Sequence, residues 1–139
     1  MKGSVVLLDT NAYSRLMQGE ERVIRVANAA KRVLLCSVVL GELESGFRGG
    51  SRYDRNTAEL KEFCADAKVE KVFSTEKTAL NYGELMAALR GAGTKIPTND
   101  VWIGAFAREY GAAICSFDHH MKAMLAHGVE LLEMGEEDA

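Results

Sequence analysis

The sequence predicts a three-layer α/β/α sandwich, in which helices cover both faces of a mainly parallel sheet of about five strands. Short apolar runs of branched residues alternate along the chain with longer segments of helical period, which is typical of this class. The chain has 139 residues and is 47% hydrophobic, which suits one sizeable core but not two. We therefore expect a single domain over residues 1–139.

Five runs have the length and composition of strands in such a sheet. Each is short and mostly apolar, as strands covered on both faces usually are. The predicted strands are Val5–Leu8, Val33–Cys36, Lys71–Phe73, Ala112–Phe117 and Val129–Leu132.

Between the strands, apolar residues recur at helical spacing and indicate helices that face the core. A helix over Thr75–Arg90 is predicted to stop at the glycines that follow it. Thr98 or Asn99 is expected to cap the next helix, which begins after the only proline, Pro97. The apolar stripes are Val23, Val26, Ala27 and Ala30; Leu60, Phe63, Cys64 and Ala67; and Ile103, Phe106, Ala107 and Tyr110.

Composition argues against several classes of protein. The net charge of -3 and pI of about 5.6 provide no overall positive field for a polyanion, so a nucleic-acid site must attract its ligand locally. The three cysteines lack CxxC spacing, and we expect them to be reduced rather than redox or zinc residues. No segment has the pattern of a signal peptide or a membrane span, so we expect a cytoplasmic protein without membrane contact.

Acidic residues recur where the apolar runs end. Asp9 and Asp118 each follow a predicted strand, and Glu42 and Asp100 each lie near the start of a predicted helix. Ligands of open parallel sheets bind beyond the carboxyl ends of the strands, so we expect the four acids near one edge. Alone, each aspartate could simply cap a helix or form a turn. Glu42 lies among apolar residues, where an unpaired carboxylate is costly.

The four carboxylates together indicate a cation. Gathered at one place they would repel one another and raise their own pKa values unless a cation neutralised them. An all-oxygen set without cysteines or paired histidines favours Mg²⁺ or Mn²⁺ over zinc. Such an ion lowers the pKa of a bound water and suits phosphodiester hydrolysis. The residues therefore indicate a hydrolase that depends on Mg²⁺ or Mn²⁺.

Four blocks of the chain resemble the PIN domain family, and within it the VapC type toxins of toxin–antitoxin pairs. The resemblance covers nearly the whole chain, and it is specific because the blocks occur in this order at these spacings. It implies a PIN-like fold. The blocks are Val5–Asn11, Ser37–Leu43, Asn99–Ala105 and Ser116–Asp118.

The resemblance also implies an activity and partners. Similar proteins are endoribonucleases that act on RNA, commonly as homodimers, and a cognate antitoxin holds them inactive. The alternatives are an RNA-processing PIN nuclease that is not a toxin, and a PIN-like module that binds RNA or protein without cutting. The implied roles are metal ligation by Asp9, Asp100 and Asp118, ligation or water-mediated contact by Glu42, and orientation of the carboxylates or the attacking water by Asn11 and Ser116.

One departure concerns the residues after Asp118. Family members often continue with a basic residue and an aromatic, whereas this chain continues with His119, His120 and Met121. Of the four acids, Asp118 is the one whose predicted role as a metal ligand depends most on the family resemblance. We expect the two histidines to form a solvated loop pair, and contact with phosphate or help in a proton transfer is the alternative.

Substrate contacts are signalled only by scattered residues. The stretch from Arg48 to Arg55 combines arginines with a tyrosine, as single-stranded nucleic-acid sites do, and an ordinary solvated surface is the alternative. Trp102 beside Asp100 could stack a base, although core packing is the simpler interpretation. The candidate phosphate contacts are Arg15, Arg48, Arg52, Arg55 and Lys95.

Phosphotransfer domains of the haloacid-dehalogenase or receiver type also place an aspartate after their first strand. Those of the first type need a second aspartate two residues later, and this chain has Asn11 at that position. Because Asn11 replaces that aspartate, we predict a metal-dependent ribonuclease rather than a phosphotransfer domain.

Overall fold

In the computed structural model, which describes residues 2–135, five strands form one parallel sheet. The strands are β1 (Val5–Leu8), β2 (Arg32–Cys36), β3 (Val69–Val72), β4 (Ala113–Ser116) and β5 (Glu130–Glu133). Their order across the sheet is β3-β2-β1-β4-β5. The central strands are almost wholly buried, and Cys36 and Cys115 pack there as free thiols.

Helices connect the strands and cover both faces of the sheet. Helices α1 to α4 pack against one another, whereas α5, α6 and a 3₁₀ helix form a second group. Crossovers between parallel strands are right-handed, so the two groups lie on opposite faces and the predicted three-layer sandwich is confirmed. The helices are α1 (Thr10–Met17), α2 (Glu21–Ala29), α3 (Ser37–Gly49), α4 (Tyr53–Cys64), α5 (Glu76–Gly91), α6 (Thr98–Tyr110) and the 3₁₀ helix (His119–His127).

The strand order creates a crevice between β1 and β4. From β1 the chain moves outward through β2 to β3, and it then returns to place β4 on the other side of β1. Such a reversal opens a space beyond the carboxyl ends of the two neighbouring strands. Asp9 directly follows β1, and Ser116 ends β4. The topology therefore brings these two parts of the sequence to one place.

Three local predictions were wrong. The third strand spans Val69–Val72 rather than Lys71–Phe73, because its pairing with β2 runs from Val69 to Val72 and leaves Phe73 58% exposed. Ala67 is exposed beyond the end of α4. The cap of α6 is Pro97 rather than Thr98 or Asn99, because the carbonyl of Pro97 accepts hydrogen bonds from the amides of residues 100 and 101.

None of the helices in residues 2–135 combines the length and the hydropathy that crossing a bilayer requires.

A glycine in α6 allows the close packing of the second helical group. A methyl group added at Gly104 would lie 2.6 Å from Sδ of Met124 and 3.0 Å from Cδ2 of Leu85, both fully buried. We expect Gly104→Ala to lower the free energy of unfolding by about 1–2 kcal/mol. Gly83→Ala is the control, since nothing lies within 4 Å of the added methyl and α5 should gain about 0.5–1 kcal/mol. Urea unfolding measures both, and equal stability of the two variants would contradict the packing argument.

Candidate metal centre

Asp9 lies at the junction of β1 and α1 and is only 5% exposed. Its Oδ1 accepts a hydrogen bond of 2.8 Å from the amide of Ala12, which caps α1, and its carboxylate is also hydrogen-bonded by the side chain of Ser116. Burial raises the pKa of Asp9 in spite of these bonds, and the nearby carboxylates of Asp118 and Glu42 raise it further. Asp9 is thus held in one position, and a nearby cation would stabilise its negative charge.

Asp100 lies in the first turn of α6 and is half-buried. Burial, followed by the charges of Asp118, Glu42 and Asp9, raises its pKa to about 6, and His120 opposes this rise. No side-chain hydrogen bond or ion pair joins Asp100 to another residue in the described part of the chain. Asp100 is therefore the acid with least compensation from the protein.

Glu42 lies on α3 and contacts two polar side chains that were not among the predicted site residues. The hydroxyl of Thr10 donates a hydrogen bond of 2.6 Å to Oε1 of Glu42. The amide nitrogen of Asn99 lies 3.5 Å from Oε2. Thr10 and Asn99 each adjoin a predicted acid, and that adjacency is the signal that could have found them.

Asp118 caps the 3₁₀ helix and contacts His120, a histidine in the first turn of that helix. Its Oδ1 accepts a hydrogen bond of 2.9 Å from the amide of His120 and lies 3.2 Å from Nδ1 of the same residue. One potential ligand atom from each of Asp100, Asp118 and His120 lies within 4.8 Å of the others. His119 is exposed, as expected, whereas His120 is exposed but lies beside the acids.

Ser116 links the two halves of the site, whereas Asn11 does not reach it. Ser116 is 4% exposed, and its hydroxyl contacts Asp9 and accepts a hydrogen bond of 2.9 Å from the amide of Asp118. Asn11 is exposed, and its side chain makes no hydrogen bond with residues 2–135. The orienting role expected of Asn11 has no contact to support it.

The donor set fits a hard divalent cation. Four carboxylates lie close enough at the β1/β4 crevice to interact electrostatically, and the imidazole of His120 lies beside them. Mg²⁺ and Mn²⁺ take carboxylate oxygens, and Mn²⁺ accepts an imidazole nitrogen more readily than Mg²⁺ does. The half-buried Asp100 accepts no side-chain hydrogen bond within residues 2–135. A bound cation would therefore offset the cost of its negative charge more than that of the other acids.

Some of the basic and aromatic candidates for substrate contact are already paired with other side chains of the protein, whereas others are not. Arg48 is paired with Glu44, and the guanidinium of Arg15 lies 4.2 Å from the ring centroid of Phe117. Trp102 stacks on a tyrosine of α5 with a centroid distance of 3.9 Å, which favours packing over base stacking. The remaining candidates on α4 or beside it, Arg52 and Arg55, have no ion pair with residues 2–135.

Comparison with protein families gives a match to the PIN domain over residues 6–125. Ribonuclease VapC1 of Haemophilus influenzae (strain R2866) is 25% identical over 122 residues, which cover 85% of this chain and 88% of that protein. Plasmid stability protein StbB of Pseudomonas syringae pv. tomato is 28% identical over 122 residues, which cover 82% and 88%.

Solved structures resemble the fold at lower identity. VapBC2 from Rickettsia felis, bound to a DNA fragment from its promoter, gives a TM-score of 0.82 at 20% identity and covers 96% of this chain and 99% of that chain. VapBC-1 from nontypeable Haemophilus influenzae gives 0.78 at 21% identity and covers 93% and 97%. At these identities the likeness shows the fold.

Proposed function

The chain belongs to the PIN domain family, and from this premise we propose that it is a metal-dependent endoribonuclease and the toxin of a type II toxin–antitoxin pair. The observation that carries the proposal is the convergence of Asp9, Glu42, Asp100 and Asp118 at the crevice between β1 and β4. The relatives named ribonuclease VapC1 support the activity. The solved VapBC complexes with a similar fold support an antitoxin as partner.

We assign the metal to Asp9, Asp100 and Asp118, with Glu42 as a further ligand or a contact through water. A bound Mg²⁺ or Mn²⁺ would polarise a phosphate oxygen and lower the pKa of an attacking water. Asp9 is held for this role by Ala12 and Ser116, and Glu42 by Thr10. Carboxylates fixed in this way need little rearrangement when the cation and the phosphate arrive.

The strand order also separates this proposal from a rival. Receiver domains have the sheet order 2-1-3-4-5, whereas this chain has β3-β2-β1-β4-β5. Together with membership of the PIN family, this difference removes the receiver interpretation.

Cleavage of RNA by the purified, partner-free chain tests the proposed function. We expect cleavage in Mg²⁺ or Mn²⁺ and none in excess EDTA. Robust cleavage in EDTA would falsify the metal mechanism. If the metal-loaded chain cuts no RNA, a binding module becomes the better interpretation. A neighbouring reading frame that encodes a DNA-binding antitoxin would distinguish a toxin from an RNA-processing nuclease.

His120 gives a prediction about the choice of metal. If its imidazole joins Asp100 and Asp118 around the ion, His120→Gln should weaken Mn²⁺ binding by roughly tenfold and Mg²⁺ binding much less. His119→Gln is the matched control, since His119 is not in this group. Calorimetric titration with each metal measures the effect, and equal affinities in the two variants would place His120 outside the metal shell.

A further inference from the structure

The side chain of Glu42 lies beside an open groove on the surface of α3. Residues four positions away on a helix are neighbours, and for Glu42 these are Val38 and Gly46, which have no polar side chain. Within residues 2–135, no side chain of α3 donates a hydrogen bond to Glu42. Helix α3 therefore presents this carboxylate without holding it in one place.

Electrostatic repulsion acts on the same carboxylate. The charge of Glu42 contributes to the raised pKa values of Asp9 and Asp100, so these acids are close enough to repel one another. No lysine or arginine of residues 2–135 forms an ion pair with Glu42. Because a glutamate side chain has several rotatable bonds, an unrestrained Glu42 would turn away from the acids toward the groove and the solvent.

Thr10 supplies a restraint from another helix. Its hydroxyl donates a hydrogen bond of 2.6 Å to Oε1 of Glu42, although 32 residues separate the two. Thr10 begins α1, but Asp9 caps that helix by accepting the amide of Ala12, so the hydroxyl of Thr10 is not needed for the cap. The branched side chain of Thr10 is also restricted in χ1. Within residues 2–135, the bond to Glu42 is the one side-chain hydrogen bond that this hydroxyl makes.

The chemistry of this donor suits a carboxylate that must keep its charge. A distance of 2.6 Å is usual for a hydroxyl that donates to a carboxylate, and such bonds are stronger than those between neutral groups. A hydroxyl carries no charge itself, so it orients Glu42 and leaves the negative charge available to a cation. The amide nitrogen of Asn99, at 3.5 Å from Oε2, makes only a long contact. The orientation of Glu42 therefore depends mainly on Thr10.

We propose that Thr10 is a positioning residue of the metal site, which acts on metal binding and RNA cleavage by holding the carboxylate of Glu42 beside the other acids. This inference rests on the proposed metal-dependent ribonuclease function. It gives the start of α1 two separate tasks, since Asp9 supplies a ligand and Thr10 orients an acid of α3. Partners of this kind typically change metal affinity or activity by about tenfold to a hundredfold when they are replaced.

Thr10→Val tests the proposal, because valine keeps the branched shape and removes the hydroxyl. In calorimetric titration of the full-length chain, we expect the Kd for Mn²⁺ to rise by roughly tenfold. Single-turnover cleavage of a labelled RNA should fall by at least as much. Thr10→Ser keeps the donor and should restore most of the affinity and most of the rate.

Thr57→Val is the matched control for the loss of a threonine hydroxyl. The hydroxyl of Thr57, on α4, is buried and has no hydrogen-bond partner in residues 2–135. Its removal should leave the Kd for Mn²⁺ and the rate of cleavage unchanged.

A double-mutant cycle with Glu42→Ala determines whether Thr10 acts through Glu42. The three aspartates remain in this variant, so its weaker Mn²⁺ binding can be measured at higher metal concentration. If Thr10 only positions Glu42, Thr10→Val should cause no further loss of Mn²⁺ affinity once Glu42 is absent. A general disturbance of α1 would instead lower the affinity by the same factor in both backgrounds.

The role of Thr10 is overturned if Thr10→Val binds Mn²⁺ as tightly as the unmodified chain, or if its loss of affinity is equally large in the Glu42→Ala background. Either result leaves the ribonuclease function intact when the unmodified chain cleaves RNA with metal. If the unmodified chain binds Mn²⁺ and cuts no RNA, the proposed function fails, and the affinity cycle still decides the role of Thr10. A chain that neither binds Mn²⁺ nor cleaves RNA would remove both.

Discussion

Asp100→Asn is expected to lower the rate of RNA cleavage by at least about a thousandfold, because it removes one of the negative charges of the proposed metal site. Single-turnover cleavage of a labelled RNA in saturating Mn²⁺ measures the loss. Asp66→Asn is the matched control, since Asp66 is exposed and its side chain accepts a hydrogen bond from the amide of Lys68, which the side chain of asparagine can also accept. Cleavage by Asp100→Asn within about tenfold of the unmodified rate would place Asp100 outside the metal shell.

Asp9→Asn should lose as much activity with little loss of stability. The side-chain oxygen of asparagine can still accept the hydrogen bond from Ala12 and cap α1, so only the charge is removed. Asp9→Ala would lose the cap as well and should be less stable by about 1 kcal/mol. The melting temperatures of the two variants distinguish the role of Asp9 in the fold from its role at the metal.

The second large effect concerns stability without metal. The pKa of Asp100 is about 6 in the fold against 3.8 for the ordinary side chain, so the folded state holds this proton more tightly. The free energy of unfolding should therefore fall as the pH rises from about 4 to 6, and the loss should be complete above that range. Asp9 shifts in the same direction. The acidic site thus destabilises the metal-free protein at neutral pH.

Urea unfolding in EDTA at pH 4 and pH 7.5 tests this effect. At pH 7.5 we expect Asp100→Asn to be more stable than the unmodified chain by about 1–2 kcal/mol, a range reduced for solvent screening of a half-buried group. Near pH 4 the difference should disappear. Metal at a hundred times its Kd should add about 2.7 kcal/mol to the unmodified chain and much less to Asp100→Asn. A stability difference that does not change with pH would contradict the proposed repulsion.

The fold could be predicted from the sequence because its central strands are buried on both faces. Such strands are uniform apolar runs, and β1 begins and ends where the pattern predicts. The edge strand β3 carries Glu70 and Lys71 and has a weaker pattern, so apolar Phe73 was wrongly included. Its register is fixed by hydrogen bonds to β2, which composition does not report.

The convergence of the four candidate acids was predictable because the ends of parallel strands meet at one edge. The hydrogen-bond partners of these acids were harder to predict. Thr10 and Glu42 are 32 residues apart and meet only when α1 and α3 pack together. His120 was predicted to lie in a solvated loop pair, and its proximity to Asp100 was missed because Asp100 comes from another helix. Asp118, which depended most on family resemblance, is in the structure a close neighbour of Asp100.

The two edges of the sheet restrict how this protein can associate. Edge strands β3 and β5 have only four residues each, and both carry charged side chains, among them Lys71, Glu130 and Glu133. Short, charged edges resist the addition of a strand from another chain, which is a common route to polymers and aggregates. We therefore expect a second copy or an antitoxin to assemble on the outer faces of the helices, without extending the sheet.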